Sequence, residues 1–304
     1  MQSAPRPKPR QQNRTAYLFL LPWLIGFFCL ALGPMLGSLY LSLTRYKLLT
    51  PPQWIGFGNY ARIFGDDDLF YQSLGVTFRY VLYAVPLRLV FALLVALALN
   101  KGIRALGLYR TVYYIPSLLG GSVAISIVWR RVFDADGLLN QLLERIGVDG
   151  PAWIAHPDTI LYTIVGLSVW QFGSAMVIFL AGLKQIPTDL YEASEVDGAG
   201  KIRQFFRITL PLLSPVLFFN LIMTIIGSFQ VFTPAQVIGD GRGGPINATL
   251  FYTLYLYLKG FSFFDMGYAA ALAWIMVLII GAFTAVLFMT SRFWVFYGDG
   301  KEGG

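Results

Sequence analysis

The sequence has little charge, one cysteine and one histidine. Only 13% of its 304 residues are charged, which is about half of the share that is usual in a globular domain. The single cysteine, Cys29, excludes an internal disulfide framework. The single histidine, His156, excludes a metal or haem site built on two histidines. Together with the long uncharged runs described next, these shortages exclude a soluble enzyme, a disordered chain and a secreted disulfide scaffold.

Hydrophobic residues make up 56% of the sequence and are gathered into long runs. Residues 15–44, 208–239 and 266–291 are 30, 32 and 26 consecutive residues without Asp, Glu, Lys, Arg or His. A helix needs about 20 apolar residues to cross a membrane, and the runs lack the alternation of barrel strands. The sequence therefore predicts an all-α membrane protein, a bundle of six transmembrane helices at about residues 17–44, 72–100, 111–129, 159–183, 212–239 and 266–291.

Lysine and arginine are divided unevenly between the two sides of this bundle. With the N-terminus inside, 13 of the 23 Lys and Arg residues lie on the inner side, 8 on the outer side and two in the second span. This excess predicts that both termini are cytoplasmic. The net charge of +7 then reflects membrane topology and contact with lipid, and not nucleic-acid binding. We expect residues 1–15 to form a basic cytoplasmic tail and residues 16–304 to form the membrane domain.

The inward segment between the fourth and fifth spans, residues 184–211, is the most informative part of the sequence and is called the signature loop below. Thr188 is placed to cap a short helix over residues 189–197, and Gly198 is placed to end it. A second short helix is predicted over residues 200–209, ahead of the fifth span. Two interpretations stay open at this point: an amphipathic linker on the membrane surface, or an acidic docking element for a soluble partner.

The signature loop resembles the signature of the inner-membrane permease subunits of binding-protein-dependent ABC importers. In that family Glu-Ala-Ala is followed after three residues by Gly and, nine residues later, by Ile-x-Leu-Pro. Ser194 departs from the second Ala, which is a small change in size. Residues 55–60 (IGFGNY) and 243–249 (GGPINAT) are similar to stretches of the carbohydrate permeases. The positions that match the signature and its Asp-Gly-Ala core are Glu192, Ala193, Asp197, Gly198, Ala199, Ile208, Leu210 and Pro211.

This resemblance implies a permease subunit with a cytoplasmic coupling-helix loop that moves a sugar or related carbohydrate inward by alternating access. The loop would dock on a dimer of cytosolic ABC ATPases, and ATP and Mg²⁺ would bind there. A binding protein outside the membrane would deliver the cargo, and a second homologous permease would form a heterodimer with this chain. The expected location is the cytoplasmic (inner) membrane of a bacterium or archaeon.

The chain is not expected to be an enzyme or to hold a cofactor, a metal or a catalytic residue. It has no Gly-x-x-x-x-Gly-Lys-Ser/Thr loop to cradle nucleotide phosphates. ATP hydrolysis is therefore expected on another polypeptide.

The family places substrate contacts in the spans on either side of the signature loop. Polar side chains inside spans tend to face the interior of the bundle, since they are costly to expose to lipid. Packing between helices is the alternative role for each of them, and Asn220 is a further candidate. The positions that the resemblance assigns to the substrate pathway are Trp170, Gln171, Phe172, Thr224, Ser228 and Gln230.

Arg88 lies in the middle of the second span, where a charge costs about 2.5–3.5 kcal/mol on insertion scales. We therefore expect it to face the interior and include it in the substrate pathway. Three roles stay open: an ion pair with an anionic substrate, hydrogen bonds to backbone carbonyls or a partner helix, and extension to the membrane surface.

The alternative function is an ion-coupled secondary transporter of a small solute. Proton coupling uses acidic residues or histidine inside the membrane. None of the six predicted spans contains such a residue. The sequence thus argues against proton coupling and leaves sodium coupling open.

Overall fold

The computed structural model describes residues 9–101 and 106–296. Their contacts divide the chain into two compact units. The first contains the chain up to Asp66 together with Lys259–Ile275, and the second contains Asp67–Leu258 and the chain from Met276 onward. Each unit is described by itself.

The first unit is built around one long helix and a small two-stranded sheet. The side-chain amide of Asn59 donates hydrogen bonds to the carbonyls of Ser42 and Thr44, both at 2.8 Å, and so joins α3 to the start of the sheet. Arg62 forms an ion pair of 2.6 Å with Asp265. The elements in chain order are α1 (Pro9–Gly26), a π-helical turn (Phe27–Leu32), α2 (Gly33–Ser42), β1 (Thr44–Arg45), antiparallel β2 (Gln53–Trp54) and α3 (Gly58–Gly65).

The second unit is helical throughout its described residues. It contains α4 (Asp68–Leu99), α5 (Leu106–Leu119), α6 (Val123–Val132), α7 (Leu138–Arg145), α8 (Pro157–Trp170), α9 (Gly173–Leu183), α10 (Thr188–Val196), α11 (Lys201–Gln204), α12 (Leu210–Phe229), α13 (Thr233–Ile238) and α14 (Tyr252–Tyr257). Shorter turns of this unit occupy Phe205–Thr209 and Pro245–Asn247, and a further turn, Leu258–Ser262, lies almost wholly in the first unit. The last helix, α15 (Met266–Trp294), contributes residues to both units.

Within residues 9–101 and 106–296, four helices are long and apolar enough to cross a membrane, and two bent helix pairs raise the number to six. This confirms the all-α fold class. The described part of the first helix starts at Pro9, inside the predicted tail. Residues 1–8 of that tail lie outside the described residues.

The third and fourth spans are not the continuous helices that the sequence predicts. The third bends by 97° between α5 and α6, and the fourth bends by 43° between α8 and α9. The first break falls at Gly120 and Gly121, after which Ser122 caps α6 by accepting a hydrogen bond from the backbone N–H of Ile125. The paired glycines thus mark a change of direction of the chain.

The two breaks satisfy each other's backbone hydrogen bonds. The Ser117 hydroxyl donates to the carbonyl of Gln171 at 2.9 Å and accepts from the backbone N–H of Ser174 at 3.0 Å. In return, the Gln171 amide donates to the carbonyl of Gly120 at 3.1 Å. Interrupted helices persist inside a membrane only when their freed backbone groups find such partners.

Helix α4 lies at the centre of the second unit. Its buried residues from Val85 to Leu99 contact an apolar face of α9 that includes Met176 and Phe179. Its earlier residues, from Val76 to Ala84, contact α8 and the turn before α14. The α4 helix therefore positions both halves of the broken fourth span.

We predict that Gly173→Ala destabilises the protein. A Cβ at position 173 would lie 2.2 Å from the carbonyl oxygen of Tyr113, and backbone cannot move aside as a flexible side chain can. Overpacking of this kind costs about 1–3 kcal/mol. The matched control is Gly281→Ala, where a Cβ meets nothing within 4 Å. A lower melting temperature of the purified chain for Gly173→Ala alone is expected, and equal melting temperatures would contradict the interlocked break.

Candidate functional site

The signature loop is a helical hairpin with a sharply defined turn. Gly198 adopts a φ of +76°, which places it in the left-handed region that favours glycine. The backbone N–H of Gly198 donates to the carbonyl of Glu195 at 3.0 Å, and that of Ala199 donates to Ser194 at 2.9 Å. These two bonds form a Schellman motif, which satisfies the last carbonyls of α10.

Side chains fasten the two arms of the hairpin together. Gln204, which is only 4% exposed, donates through its amide to the Ser194 hydroxyl at 3.0 Å. The hydroxyl groups of Tyr191 and Thr209 are hydrogen-bonded at 2.9 Å. Sequence reasoning missed these four residues, and it treated Ser194 only as a departure from alanine. The hydroxyl of that serine is part of what holds the loop in shape.

One ion pair lies on the outer surface of the hairpin. Lys201 forms a salt bridge with Glu195. The hydrogen bond from Lys201, followed by one from Gln204, lowers the pKa of the exposed Glu195 carboxyl. Glu195 is therefore engaged within the loop, and it is less available to a partner than Glu192, which is exposed.

Two details of the predicted hairpin are wrong. Thr188 is the first residue of α10, whose N-cap is Pro187, and no side chain caps this helix. The second arm does not end at residue 209 as a separate helix. It continues from Lys201 through a π-helical turn into α12, because the wider turn accommodates the missing N–H of Pro211 without a break.

The signature residues differ in how far they are exposed on the hairpin. Glu192, Ala193, Asp197 and Gly198 are exposed. Half-buried positions hold the remaining members of the signature, Ala199, Ile208 and Leu210, ahead of Pro211 at the start of α12.

The hairpin that carries the exposed acids Glu192 and Asp197 also carries exposed apolar side chains, which sequence reasoning missed. Val196 is 90% exposed and Ile202 is 78% exposed, although both are strongly hydrophobic. A neighbouring groove of about 280 Å³ is lined by Asp197 and also by the basic residues Arg203 and Arg207. The surface therefore suits a partner that offers apolar contacts and charges of both signs.

A polar cavity of about 230 Å³ lies between α4, the two breaks and the end of α12. Four residues of the predicted substrate pathway line it, namely Arg88, Gln171, Ser228 and Gln230. Tyr80 and Ser168 line it as well and were not predicted.

A second cavity of about 250 Å³ adjoins the first along α12. It is lined by Thr224 and Asn220, both of which the sequence singled out. Arg88 and Gly227 line both cavities. The structure thus brings five of the seven predicted pathway residues to one region.

Trp170 and Phe172 lie elsewhere. The Trp170 ring packs 5.9 Å from the ring of Trp129. Phe172 is buried and packs edge-on against Phe91 at 4.8 Å. Both residues pack beside the break in the fourth span, and neither lines the two cavities.

The described part of the chain contains no group of three or more His, Cys, Asp or Glu side chains that could hold a metal ion. The cavities are instead lined by amides, hydroxyl groups, one guanidinium group and apolar side chains. Such a lining can bind hydroxyl-rich solutes through hydrogen bonds.

Comparison with known proteins agrees with the signature. Residues 70–295 match the family described as "Binding-protein-dependent transport system inner membrane component". The chain is 50% identical over 294 residues to the probable ABC transporter permease protein YesP of Bacillus subtilis (strain 168), covering 96% of this chain and 95% of that protein. It is 32% identical over 288 residues to the lactose transport system permease protein LacF of Rhizobium radiobacter, covering 93% and 96%.

The fold is also similar to that of a solved transporter. A chain of a bacterial ABC transporter involved in the import of the acidic polysaccharide alginate superimposes with a TM-score of 0.80 at 21% identity, covering 93% of this chain and 96% of that chain. At this identity the likeness shows the fold. The matched profile and the relatives show that this chain belongs to the inner-membrane components of binding-protein-dependent transport systems, as a multi-pass permease subunit of an ABC importer.

Proposed function

We propose that this permease passes a carbohydrate through the two adjoining cavities of its second unit. The observation that carries the proposal is the polar region formed by Arg88, Gln171 and Ser228 among the apolar membrane-spanning helices of this unit. The named cargoes of similar proteins, lactose and alginate, support a carbohydrate. Those two cargoes differ in charge, so the comparisons do not decide the charge of the cargo here.

We further propose that the signature loop docks on a separate ATPase dimer, which binds ATP and Mg²⁺. Glu192 is the acid expected to pair with a basic residue of that partner. The second arm of the hairpin is continuous with α12, and α12 lines both cavities. A displacement of the loop would therefore pass along one helix to the cargo site.

Six membrane spans can line only half of a central pathway, so the proposed importer needs further subunits. A second, homologous permease completes the pathway in this proposal, and a solute-binding protein delivers the cargo. The solved alginate transporter is in complex with a periplasmic protein, which supports the binding-protein partner. The proposed orientation places both termini and the signature loop in the cytoplasm of a bacterial or archaeal cell. The ion-coupled alternative gains no support from the family.

The proposed function predicts that uptake depends on ATP. Proteoliposomes containing the assembled importer and its binding protein should accumulate labelled carbohydrate with ATP, and uptake should stop without the ATPase or with a non-hydrolysable analogue. A sodium or proton gradient imposed without ATP is the control and should drive no uptake. Accumulation driven by such a gradient would overturn the proposal and favour the ion-coupled alternative.

A matched pair of glycine substitutions tests the docking role. Gly198→Ala forces alanine into a left-handed conformation, which costs about 1–2 kcal/mol. Gly200→Ala introduces the same methyl group at φ −71°, and neither Cβ would meet an atom within 4 Å. We expect Gly198→Ala to weaken co-purification of the ATPase by about 5- to 30-fold, with normal membrane insertion.

The Gly200→Ala variant should retain the ATPase at the yield of the unaltered protein. The space around position 198 is open, so a side chain there acts through the backbone conformation and not through a steric clash with the second arm. Equal yields for the two variants would contradict the requirement for this turn.

A further inference from the structure

Arg88 has no compensating charge among the described residues. It projects from α4 into the region where both cavities meet. No hydrogen bond or ion pair joins its side chain to the described part of the chain, and its buried Nε has no partner. The sequence contains no Asp or Glu in residues 69–133, 159–188 or 198–239, which supply α9, α12 and all but the first residues of α4 and α8.

The side-chain amide of Asn220 is a second donor in this region without a hydrogen-bond partner in the described residues. Asn220 is only 3% exposed and lines the same cavity as Arg88, and its Nδ2 is buried. Buried donors are nearly always satisfied in folded proteins. Two free donors that line one cavity, one of them cationic, indicate a site made for an acceptor that enters from outside the chain.

The amide of Gln171, which lines the first cavity, by contrast has a partner within the chain. The Gln171 amide donates to the carbonyl of Gly120 at 3.1 Å. Arg79, the other arginine of α4, is exposed and its Nε lies 3.4 Å from the carbonyl of Gly75. Arg88, which lines both cavities, and Asn220, which lines the second, each present a buried side-chain N–H that has no hydrogen-bond partner in the described residues.

We propose that Arg88 and Asn220 form an anion-binding subsite, and that the cargo is a carbohydrate carrying a negatively charged group. This inference rests on the proposed function and specifies the cargo class. A guanidinium group binds carboxylate, phosphate or sulfate through charge-assisted hydrogen bonds, and the neighbouring amide adds a neutral donor. A neutral sugar would leave the charge of Arg88 uncompensated during its passage.

A thiol probe tests the charge of the subsite without depending on transport. Gly227 lines both cavities, and a Cβ there meets nothing within 4 Å, so Gly227→Cys fits. The variant is placed in the assembled importer together with Cys29→Ser, which removes the native thiol of this chain. The new thiol is then reacted separately with anionic sulfonatoethyl methanethiosulfonate and with cationic trimethylammonioethyl methanethiosulfonate, and the two reaction rates are measured. Adding Arg88→Gln should lower the ratio of anion to cation reaction rates by about tenfold or more. Arg79→Gln is the control and should leave the ratio unchanged.

An unchanged ratio after Arg88→Gln would overturn the inference, since a carboxylate of the second permease would then already neutralise Arg88.

The cargo class is tested by ATP-driven uptake of a mannuronate trisaccharide, glucose 6-phosphate and neutral maltotriose. We expect uptake of at least one of the two charged probes, and the separate rates for the uronate and the phosphate distinguish which anion is preferred. Arg88→Gln should lower that uptake rate at least tenfold, and Arg88→Lys should restore much of it. ATP-driven uptake of maltotriose that Arg88→Gln does not reduce would overturn the inference while leaving the proposed function intact.

Discussion

Backbone groups inside a membrane need hydrogen-bond partners, and this requirement shapes the second unit. The third and fourth spans are each interrupted, and each interruption leaves backbone N–H and C=O groups whose hydrogen bonds lipid cannot supply. Ser117, beside the first break, serves the backbone of the second, and Gln171, at the second break, serves the backbone of the first. Because each break supplies a partner for the other, the bends stabilise one another, and a polar cavity forms beside them.

The second organising feature is the continuity of the signature loop with α12. The hairpin is held by Gln204 and Ser194 at one level and by Tyr191 and Thr209 at another. A loop fastened at two levels moves as a unit, and its second arm continues into the helix that lines the cavities. The same physical connection would let an event at the loop change the proposed cargo site.

The sequence predicted the elements that depend on composition and local pattern. Uncharged runs identified the membrane helices, and the signature spacing located the turn at Gly198 because left-handed backbone favours glycine. It failed where long-range contacts decide the outcome. The breaks in the third and fourth spans depend on Ser117 meeting Gln171, 54 residues away. Pairings of this kind, like that of Gln204 with Ser194, become visible only when the helices are packed together.

We propose that the cavity beside the two breaks is a carbohydrate passage that the signature loop opens to opposite sides of the membrane in turn. The most direct measurement labels Gln230→Cys, in a Cys29→Ser background, with a membrane-impermeant thiol reagent applied to either face of vesicles that contain the assembled importer. Gln230 lines the cavity at the end of α12. The account predicts that the reactive face reverses between the nucleotide-free complex and the complex trapped with ADP and vanadate. Labelling from the same face in both states would contradict it.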